Sequence, residues 1–266
     1  MEEIDCLVNA VRQSAHYRTV CPDLIAHAGT VELARRRSFK EAVKATKNKL
    51  HQVAGSYFHT DLRYGSWLDD LHAARSAGDE DGYRRACREI MQCQSSTRER
   101  LPILSDFYTQ ALAPIAPVRA VLDVACGLNP LAIPWMPLEP RAEYWAYDVY
   151  EDLIAFLHDA MRLSGVSAHA SCQDVTRLAP TCPVDVALLL KAVPCLDQLD
   201  RSSASRLLDA LDARHFLISF PVRSLGGRQK GMVATYEARM ERLLAGRPWR
   251  VRRLEFATEL AFLVSR

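Results

Sequence analysis

The 266-residue sequence predicts an α/β fold in which a helical region precedes a mostly parallel, Rossmann-like sheet. Two observations lead to this prediction. Residues 1 to about 95 carry apolar residues at helical spacing, such as Leu7 and Val11, without a convincing alternating strand. From Arg119 onward, apolar runs alternate with amphipathic segments, a pattern typical of parallel strands covered by helices on both faces.

The expected sheet has seven strands. The apolar runs at 251–256 and 260–264 are expected to close it as an antiparallel pair. The other predicted strands cover 119–125, 142–147, 167–172, 184–190 and 214–220, with helices at about 150–164 and 200–213. We therefore expect a helical N-terminal domain at 1–95 and a sheet domain at 96–266.

Composition narrows the class of protein. Hydrophobic residues make up 49% and charged residues 25% of the chain, as in ordinary globular proteins. The sequence has no apolar run of 18 residues and no signal-peptide pattern, so we expect a cytoplasmic protein without a membrane span. Eight cysteines without a CxxC pair predict reduced thiols and no metal site. The net charge of +2 means that nucleic-acid binding has to be argued from local patches.

The apolar run from Ala120 to Ala125 ends in a glycine turn, Cys126-Gly127, which predicts a buried strand that stops at a ligand. A glycine at such a turn lets the backbone approach the ligand closely. In open α/β sheets, ligands bind outside the carboxyl ends of the strands. An ordinary turn without a ligand is the alternative.

Two acidic residues strengthen the ligand interpretation. Asp148 ends the next apolar run, where a carboxylate usually binds the two hydroxyls of a ribose. Asp174 follows the third predicted strand. Only one glycine is present at the turn, so the GxGxxG pattern of a dinucleotide site is absent. One glycine with Asp148 and Asp174 fits S-adenosylmethionine better.

A basic stretch lies between Arg35 and Lys49, with seven cations and one acid. Helical spacing places three lysines on one face, which two arginines extend; the five residues are Arg36, Arg37, Lys40, Lys44 and Lys47. This surface is either a solvated helix face or a surface that follows an RNA phosphate backbone.

The stretch Ser95-Ser-Thr-Arg-Glu-Arg100 opens another helix. Ser95 or Ser96 is expected to cap it, with Glu99 completing a capping box with Ser96. Arg100 lies outside that explanation. Its forked guanidinium suits the carboxylate of an amino-acid-like ligand.

Two later stretches carry possible chemistry. Pro194-Cys195 follows the fourth strand and resembles the nucleophile of C5-pyrimidine methyltransferases, although a packing cysteine is the simpler interpretation. The loop 219–232 contains three glycines and the cations Arg223, Arg228 and Lys230, so it is either a solvated loop or an RNA contact.

Taken together, Ser96-Thr-Arg-Glu-Arg100, Asp123-Val-Ala-Cys-Gly-Leu-Asn-Pro130 and Ser219-Phe-Pro-Val-Arg-Ser-Leu-Gly-Gly-Arg-Gln-Lys-Gly-Met232 resemble the aminoglycoside-resistance 16S ribosomal RNA methyltransferases. That family methylates N7 of guanine 1405, in ribosomal RNA numbering. The resemblance covers nearly the whole chain and implies a SAM-dependent enzyme that acts on 16S rRNA in the 30S subunit, as a monomer and without a protein partner.

The resemblance also implies roles for individual residues. Arg100 is expected to hold the methionine carboxylate and Asp148 the ribose, while Lys191 and Arg228 position the target base. The further cofactor contacts that it implies are Tyr57, Gln94, Ser95, Ser96, Ala125, Gly127, Asp174, Val175 and Leu190. Arg223 and Lys230 are expected to face RNA. No general base is expected, because guanine N7 carries a free lone pair. A non-catalytic RNA-binding factor of the same fold remains the alternative of another class.

Overall fold

The computed structural model describes residues 2–55, 62–222 and 232–266. The described part of residues 1–95 is helical, as predicted, and helices continue to Leu112. These helices are α1 (Glu2–Arg12), α2 (Pro22–Arg35), α3 (Phe39–Leu50), α4 (Tyr64–Ser76), α5 (Glu80–Met91), α6 (Ser95–Arg100) and α7 (Leu104–Leu112). Pro22 opens α2, where its missing amide proton costs no helical hydrogen bond.

The described strands form one seven-stranded sheet, which confirms the predicted fold class. The strands are β1 (Ala120–Val124), β2 (Glu143–Asp148), β3 (Ser167–Cys172), β4 (Val184–Leu190), β5 (Ala213–Pro221), β6 (Arg250–Glu255) and β7 (Glu259–Ser265). The helices between and beside them are α8 (Glu151–Leu163), α9 (Val193–Leu199), α10 (Ser203–Ala210) and α11 (Met232–Leu244).

The strands lie in the order β3-β2-β1-β4-β5-β7-β6. The first five are parallel, and β7 pairs antiparallel with both β5 and β6, as the C-terminal apolar runs predicted. The strand order reverses between β1 and β4, because the chain first winds outward to β3 and then returns to the other side of β1. Ligands of open α/β sheets bind at this reversal.

Apolar residues from the helices cover both faces of the sheet. One buried cluster joins Trp67 of α4, Tyr83 of α5 and Phe107 of α7 to β1, β2 and β4. A second cluster, on the opposite face, joins Leu207 of α10 and Met240 of α11 to the sheet. The early helices α1 to α3 form a separate buried cluster of their own. The helical region thus has two parts, and α4, α5 and α7 share their core with the sheet.

The segment before α2 attaches the early helices to the carboxyl end of β2. The Cys21 amide donates to the Val149 carbonyl at 2.8 Å, and the Glu151 amide donates to the Thr19 carbonyl at 2.7 Å. Arg12 of α1 forms an ion pair with Glu151 at 2.7 Å. These contacts place the N-terminus of α2 beside the edge of the sheet where a ligand is expected.

Candidate active site

A cavity of about 410 Å³ opens at the carboxyl ends of β1, β2 and β4. Its volume lies in the range of pockets for small ligands and cofactors. Eight residues predicted to contact the cofactor line it, namely Gln94, Ser95, Ser96, Ala125, Asp148, Asp174, Val175 and Leu190. The turn after β1, the end of β2 and the loop after β3 therefore converge on one space, as the positions of Ala125, Asp148 and Asp174 in the sequence indicated.

The backbone is strained where the two central strands end. Ala125 after β1 has a φ of 51°, and Lys191 after β4 has a φ of 59°. Residues other than glycine rarely adopt this left-handed conformation, which costs of the order of 1–3 kcal/mol and clusters at functional sites. Both residues line the cavity, so the strain lies on either side of the strand reversal.

Two features require a glycine at position 127: its left-handed backbone conformation and the close approach of the Gln94 side chain. Its φ is 51°, and a Cβ built on it would lie 2.1 Å from Gln94 Nε2. Gln94 is held in place because its Oε1 accepts a hydrogen bond from the Leu128 amide at 2.7 Å. The glycine therefore lets the Gln94 side chain lie over the turn and form the cavity wall.

Asp148 ends β2 with its carboxylate held by two backbone amides. Oδ2 accepts from Gly127 at 2.8 Å and Oδ1 accepts from Val149 at 2.7 Å. Burial raises the pKa of Asp148, although these amide hydrogen bonds oppose the shift. The Tyr150 amide also lowers the pKa of this group as a third backbone donor. A carboxylate has about four acceptor positions, so Asp148 retains capacity for a ligand hydroxyl. Its placement fits the ribose contact predicted for it.

Asp174 lies in the loop after β3, and only 3% of its surface is exposed. Its Oδ1 accepts from the Thr176 amide at 3.0 Å and from the Thr176 hydroxyl at 2.6 Å. Its Oδ2 lies 2.8 Å from Nδ1 of His27, which belongs to α2. A helix of the N-terminal region therefore holds a carboxylate of the predicted adenine contact.

The N-terminus of α6 differs from the expected capping box. The N-cap residue is Gln94, so Ser95 and Ser96 are the first two residues of the helix and not its cap. Glu99 instead forms an ion pair with Lys191 at 2.6 Å, and the Lys191 ammonium also donates to the Ser96 carbonyl at 3.2 Å. The capping prediction failed because a strand-end lysine, distant in sequence, provides a stronger partner for the glutamate.

Lys191 itself is directed inward. Its side chain is only 8% exposed, and a second carboxylate, that of Glu259, lies 3.5 Å from its ammonium. These contacts fasten α6 to the end of β4 and place the lysine in the cavity wall. A contact between Lys191 and the target base stays a prediction.

Arg100 is a buried cation paired within the protein. Its surface is 1% exposed, and its guanidinium binds the Glu259 carboxylate through Nε and Nη2, at 3.0 and 2.7 Å. Nη1 donates to Asn129 Oδ1 at 2.8 Å. The Arg100 side chain is not among the groups that line the cavity, so the structure does not bring it to the space where the methionine carboxylate is expected. That role stays a prediction.

The network around Arg100 continues beneath β1. Asn129 and Tyr144 each donate to Oδ2 of Asp123 at 2.8 Å. Burial raises the pKa of Asp123 to about 7, while these two hydrogen bonds lower it. Asp123 does not line the cavity, but it accepts hydrogen bonds that hold Asn129, a residue of the segment after β1.

Cys195 lines the cavity at the start of α9, and its thiol lies 3.7 Å from the Lys191 carbonyl oxygen. The wall beyond it is formed by Pro194, Pro221 and Tyr236. Tyr236 stacks on Phe220, with ring centroids 4.6 Å apart. This end of the cavity lies over β4 and β5 and is mainly apolar.

The basic stretch forms a groove between α2 and α3. Arg36 and Arg37 lie in the connection between the two helices and not on the lysine face of α3. The reason is that α3 begins only after its N-cap Ser38, whose side chain accepts a hydrogen bond from the Glu41 amide at 3.3 Å. The cations that line the groove are Arg35, Arg36, Arg37, Lys44 and Lys49.

Two predicted RNA contacts lie outside this groove. Lys40 is exposed on α3, but Lys47 is half-buried and donates to Ser14 Oγ at 2.6 Å. The helical spacing places Lys47 on the same side of α3 as Lys40 and Lys44, yet its ammonium bonds the segment after α1.

Four predicted site residues lie outside the described residues, namely Tyr57, Arg223, Arg228 and Lys230. The sequence analysis missed Leu24 of α2 and Val53 as cavity residues, and also His27 as the partner of Asp174. No local pattern distinguishes these residues, because each reaches the cavity through packing between distant parts of the chain.

Within the described residues, no cluster of His, Cys, Asp and Glu side chains has the arrangement of a metal site. None of the described helices combines the length and the apolar character that crossing a membrane requires.

The sheet order with its antiparallel seventh strand, and the cavity at the strand reversal, define a Rossmann-like SAM-dependent methyltransferase. The profile of one family, described as "Ribosomal RNA methyltransferase (FmrO)", matches residues 13–263. The chain belongs to this family of ribosomal RNA methyltransferases.

Named relatives extend over the whole chain. A 16S rRNA (guanine(1405)-N(7))-methyltransferase of Micromonospora echinospora is 36% identical and matches 100% of this chain and 97% of its own. A protein of the same name from Serratia marcescens is 33% identical, with 99% and 98% covered. Among solved structures, the 16S rRNA methyltransferase RmtF in complex with S-adenosyl-L-homocysteine has a TM-score of 0.84 and 29% identity, over 100% of this chain and 99% of its own.

Proposed function

We propose that this chain transfers a methyl group from S-adenosylmethionine to N7 of guanine 1405 in 16S rRNA, and thereby confers aminoglycoside resistance. The observation that carries this proposal is the full-length match to relatives named for that reaction, which are up to 36% identical. The cavity supports it independently, since it collects eight predicted cofactor contacts at the strand reversal.

The described residues fit the proposed cofactor. Asp148 offers a carboxylate at the end of β2 to the ribose, and the Gly127 amide donates to it from the turn after β1 at 2.8 Å. Val175 and Leu190 provide apolar walls for the adenine, and Asp174 provides an acceptor at its edge. S-adenosylmethionine would supply a methyl group on a sulfonium, so that a bond from the acceptor lone pair to the methyl carbon would form as the carbon–sulfur bond breaks and S-adenosylhomocysteine leaves.

The chemistry of the acceptor explains why positioning is sufficient. Guanine N7 carries a lone pair at neutral pH, so no proton has to be removed before or during the transfer. The protein therefore has to hold the base in line with the methyl group and exclude water. Alignment of two reactants contributes up to about 7–11 kcal/mol in favourable cases. We propose that the apolar end of the cavity, near Pro221 and Tyr236, receives the guanine after it leaves its helix.

RNA docking is assigned to the helical region 1–95. Its groove between α2 and α3 is lined by five cations and two carboxylates, those of Glu32 and Glu41, and the excess of positive charge attracts phosphates without selecting a sequence. Lys40 extends this basic surface, and we propose that the loop cations Arg223, Arg228 and Lys230 contact RNA near the target. We further propose that the substrate is the assembled 30S subunit, and that the enzyme acts in the cytoplasm as a monomer without a protein partner.

The test is methylation of unmethylated 30S subunits with labelled S-adenosylmethionine, followed by borohydride–aniline strand scission. Scission at guanine 1405 is expected, because N7 methylation makes the glycosidic bond labile. An Asp148→Ala variant serves as the control without cofactor binding. Label without scission would contradict N7 chemistry and favour attack by Cys195 on a pyrimidine. Cofactor binding without label on any RNA would favour a non-catalytic role.

A further inference from the structure

We propose that His27 is a positioning residue that sets the acceptor geometry of Asp174 for the 6-amino group of the cofactor's adenine. The inference rests on the proposed cofactor and on the adenine contact expected of Asp174. It gives α2, a helix that packs in the separate cluster of the early helices, a part in cofactor recognition.

The geometry of the pair carries the inference. Nδ1 of His27 lies 2.8 Å from Oδ2 of Asp174, and the two residues are 147 positions apart in the chain. The Asp174 side chain is 2% exposed and the His27 side chain is 19% exposed. In this proposal Asp174 is the acceptor, so the histidine nitrogen is the donor and the proposal requires a proton on Nδ1.

The other hydrogen bonds of Asp174 show what His27 adds. Oδ1 already accepts two hydrogen bonds from Thr176, one from its amide and one from its hydroxyl. Oδ2 accepts the His27 bond and retains capacity for one more donor. Thr176 therefore anchors one oxygen within the loop, whereas His27 holds the other oxygen and leaves one acceptor position for a ligand amino group.

The neighbouring residue on α2 places this contact at the ligand. Leu24 lies one turn before His27 and lines the cavity, as Asp174 does. The N-terminus of α2 is fixed to the sheet by the hydrogen bond from the Cys21 amide to the Val149 carbonyl at 2.8 Å. A donor on such an anchored helix holds a carboxylate oxygen more rigidly than a donor in a loop.

The experiment uses two ligands that differ at the adenine edge. S-adenosylhomocysteine carries the 6-amino donor, and S-inosylhomocysteine carries an oxygen there and has no amino group to donate. We expect His27→Leu to weaken S-adenosylhomocysteine binding by about tenfold, as for the loss of one charged hydrogen bond. Binding of S-inosylhomocysteine is expected to change less than about twofold. Calorimetry on the full chain measures both affinities.

Two variants separate positioning from a general structural role. His27→Asn places an amide N–H near the position of Nδ1 and is expected to restore most of the preference for adenine. His158→Leu, on the exposed part of α8, is expected to alter neither affinity. Equal losses for the two ligands, or wild-type affinities in His27→Leu, would overturn the inference.

The proposed function and this inference fail in different ways. If the wild-type chain binds S-adenosylhomocysteine and prefers it, but His27→Leu keeps that preference, only the role of His27 is wrong. If the wild-type chain binds neither ligand, the cofactor assignment is wrong and the inference is overturned with it. Methylation of 30S subunits by the wild type tests the reaction separately.

Discussion

The guanidinium of Arg100 and the carboxylate of Glu259 meet inside the protein at 2.7 Å, although 159 positions separate them in the chain. The pair joins α6, which forms one wall of the cavity, to the first residue of β7. Lys191 lies 3.5 Å from the same carboxylate. One buried anion therefore holds two cations and fixes α6 against the sheet.

Replacement of this anion is expected to destabilise the fold. Glu259→Gln keeps the shape but leaves the buried Arg100 guanidinium without its paired carboxylate and Lys191 with Glu99 alone, so we expect a loss of about 3–5 kcal/mol in the free energy of unfolding. Urea denaturation at pH 7 measures it. The matched control is Glu255→Gln, which removes an exposed ion pair with Arg253 and is expected to cost about 0–1 kcal/mol.

The same variant has a defined pH dependence. Burial alone would raise the pKa of Glu259, but the charges of Arg100 and Lys191 outweigh burial and lower it below the ordinary value of 4.5. A lowered folded-state pKa means that this stability is present above pH 4.5 and is lost as pH falls through the folded pKa. The stability difference between wild type and Glu259→Gln should therefore shrink in acid. A difference that is constant down to strongly acidic pH would contradict the assignment.

Gly127→Ala is expected to cost stability for two separable reasons. The left-handed backbone alone costs roughly 1–3 kcal/mol in a non-glycine residue. The new Cβ would also lie 2.1 Å from Gln94, which is held by its hydrogen bond to Leu128. Gly165→Ala is the control for strain alone, since Gly165 has a φ of 81° and open space around it.

A double-mutant cycle with Gln94→Ala separates the cost of backbone strain from the cost of contact with Gln94. Thermal or chemical unfolding measures the free energy of unfolding of each variant. The extra cost of Gly127→Ala should largely disappear when Gln94 is alanine. If Gly127→Ala costs no more than Gly165→Ala in the wild-type background, contact with Gln94 does not constrain the turn.

Cofactor affinity is expected to rise with pH through the titration of Asp148. Burial raises the pKa of this carboxyl group, and the protonated form is the poorer acceptor for ribose hydroxyls. Affinity for S-adenosylhomocysteine should therefore increase as pH rises through the raised pKa. Asp148→Asn is expected to bind weakly and with a flatter pH profile. Calorimetry from pH 5 to 8 measures both, and an unchanged slope in Asp148→Asn would exclude Asp148 as the titrating group.

Lysines on α3 are expected to differ in their effect on RNA binding. Lys44 lines the open groove, whereas Lys47 bonds Ser14. Lys44→Ala should reduce the affinity for 30S subunits and leave cofactor binding unchanged. The slope of log affinity against log salt concentration should become shallower by about 1. Lys47→Ala should change stability more than RNA affinity. Filter binding of 30S subunits at several salt concentrations distinguishes them, and equal salt slopes for both variants would contradict the proposed groove.

Cys195→Ala separates the two candidate reactions. The thiol lies in the cavity wall, 3.7 Å from the Lys191 carbonyl, which is compatible with a packing role. Transfer to N7 requires no nucleophile from the protein, so the variant should keep methyltransferase activity on 30S subunits within a few-fold. Abolished transfer with intact cofactor affinity would show that Cys195 takes part in the reaction.

The sequence was sufficient to predict the features that depend on neighbouring residues. The strand before Gly127 and the acid that ends β2 were predicted because each combines an apolar run with its terminating residue. The antiparallel ending was predicted from two adjacent apolar runs. Such local patterns record burial and chain reversal directly.

Features that depend on packing between distant residues were not predicted. Glu259 is a charged residue at the start of an apolar strand, a signal that a buried cation is near, but the sequence does not identify Arg100 and Lys191 as its partners. His27 has no distinguishing pattern, because its role depends on the docking of α2 beside β2. The prediction of a capping box at Ser96 was wrong for the same reason, because Glu99 forms an ion pair with the distant Lys191.

The place of Leu24 and Val53 in the cavity wall has a consequence for inhibitor design. Compounds that imitate only the adenosine part of the cofactor address the strand ends, which methyltransferases of this fold have in common. A compound that fills the cavity and also contacts these two apolar side chains gains contacts from helical segments that precede the sheet in the chain. Selectivity against unrelated methyltransferases is therefore to be sought on the helical side of the cavity.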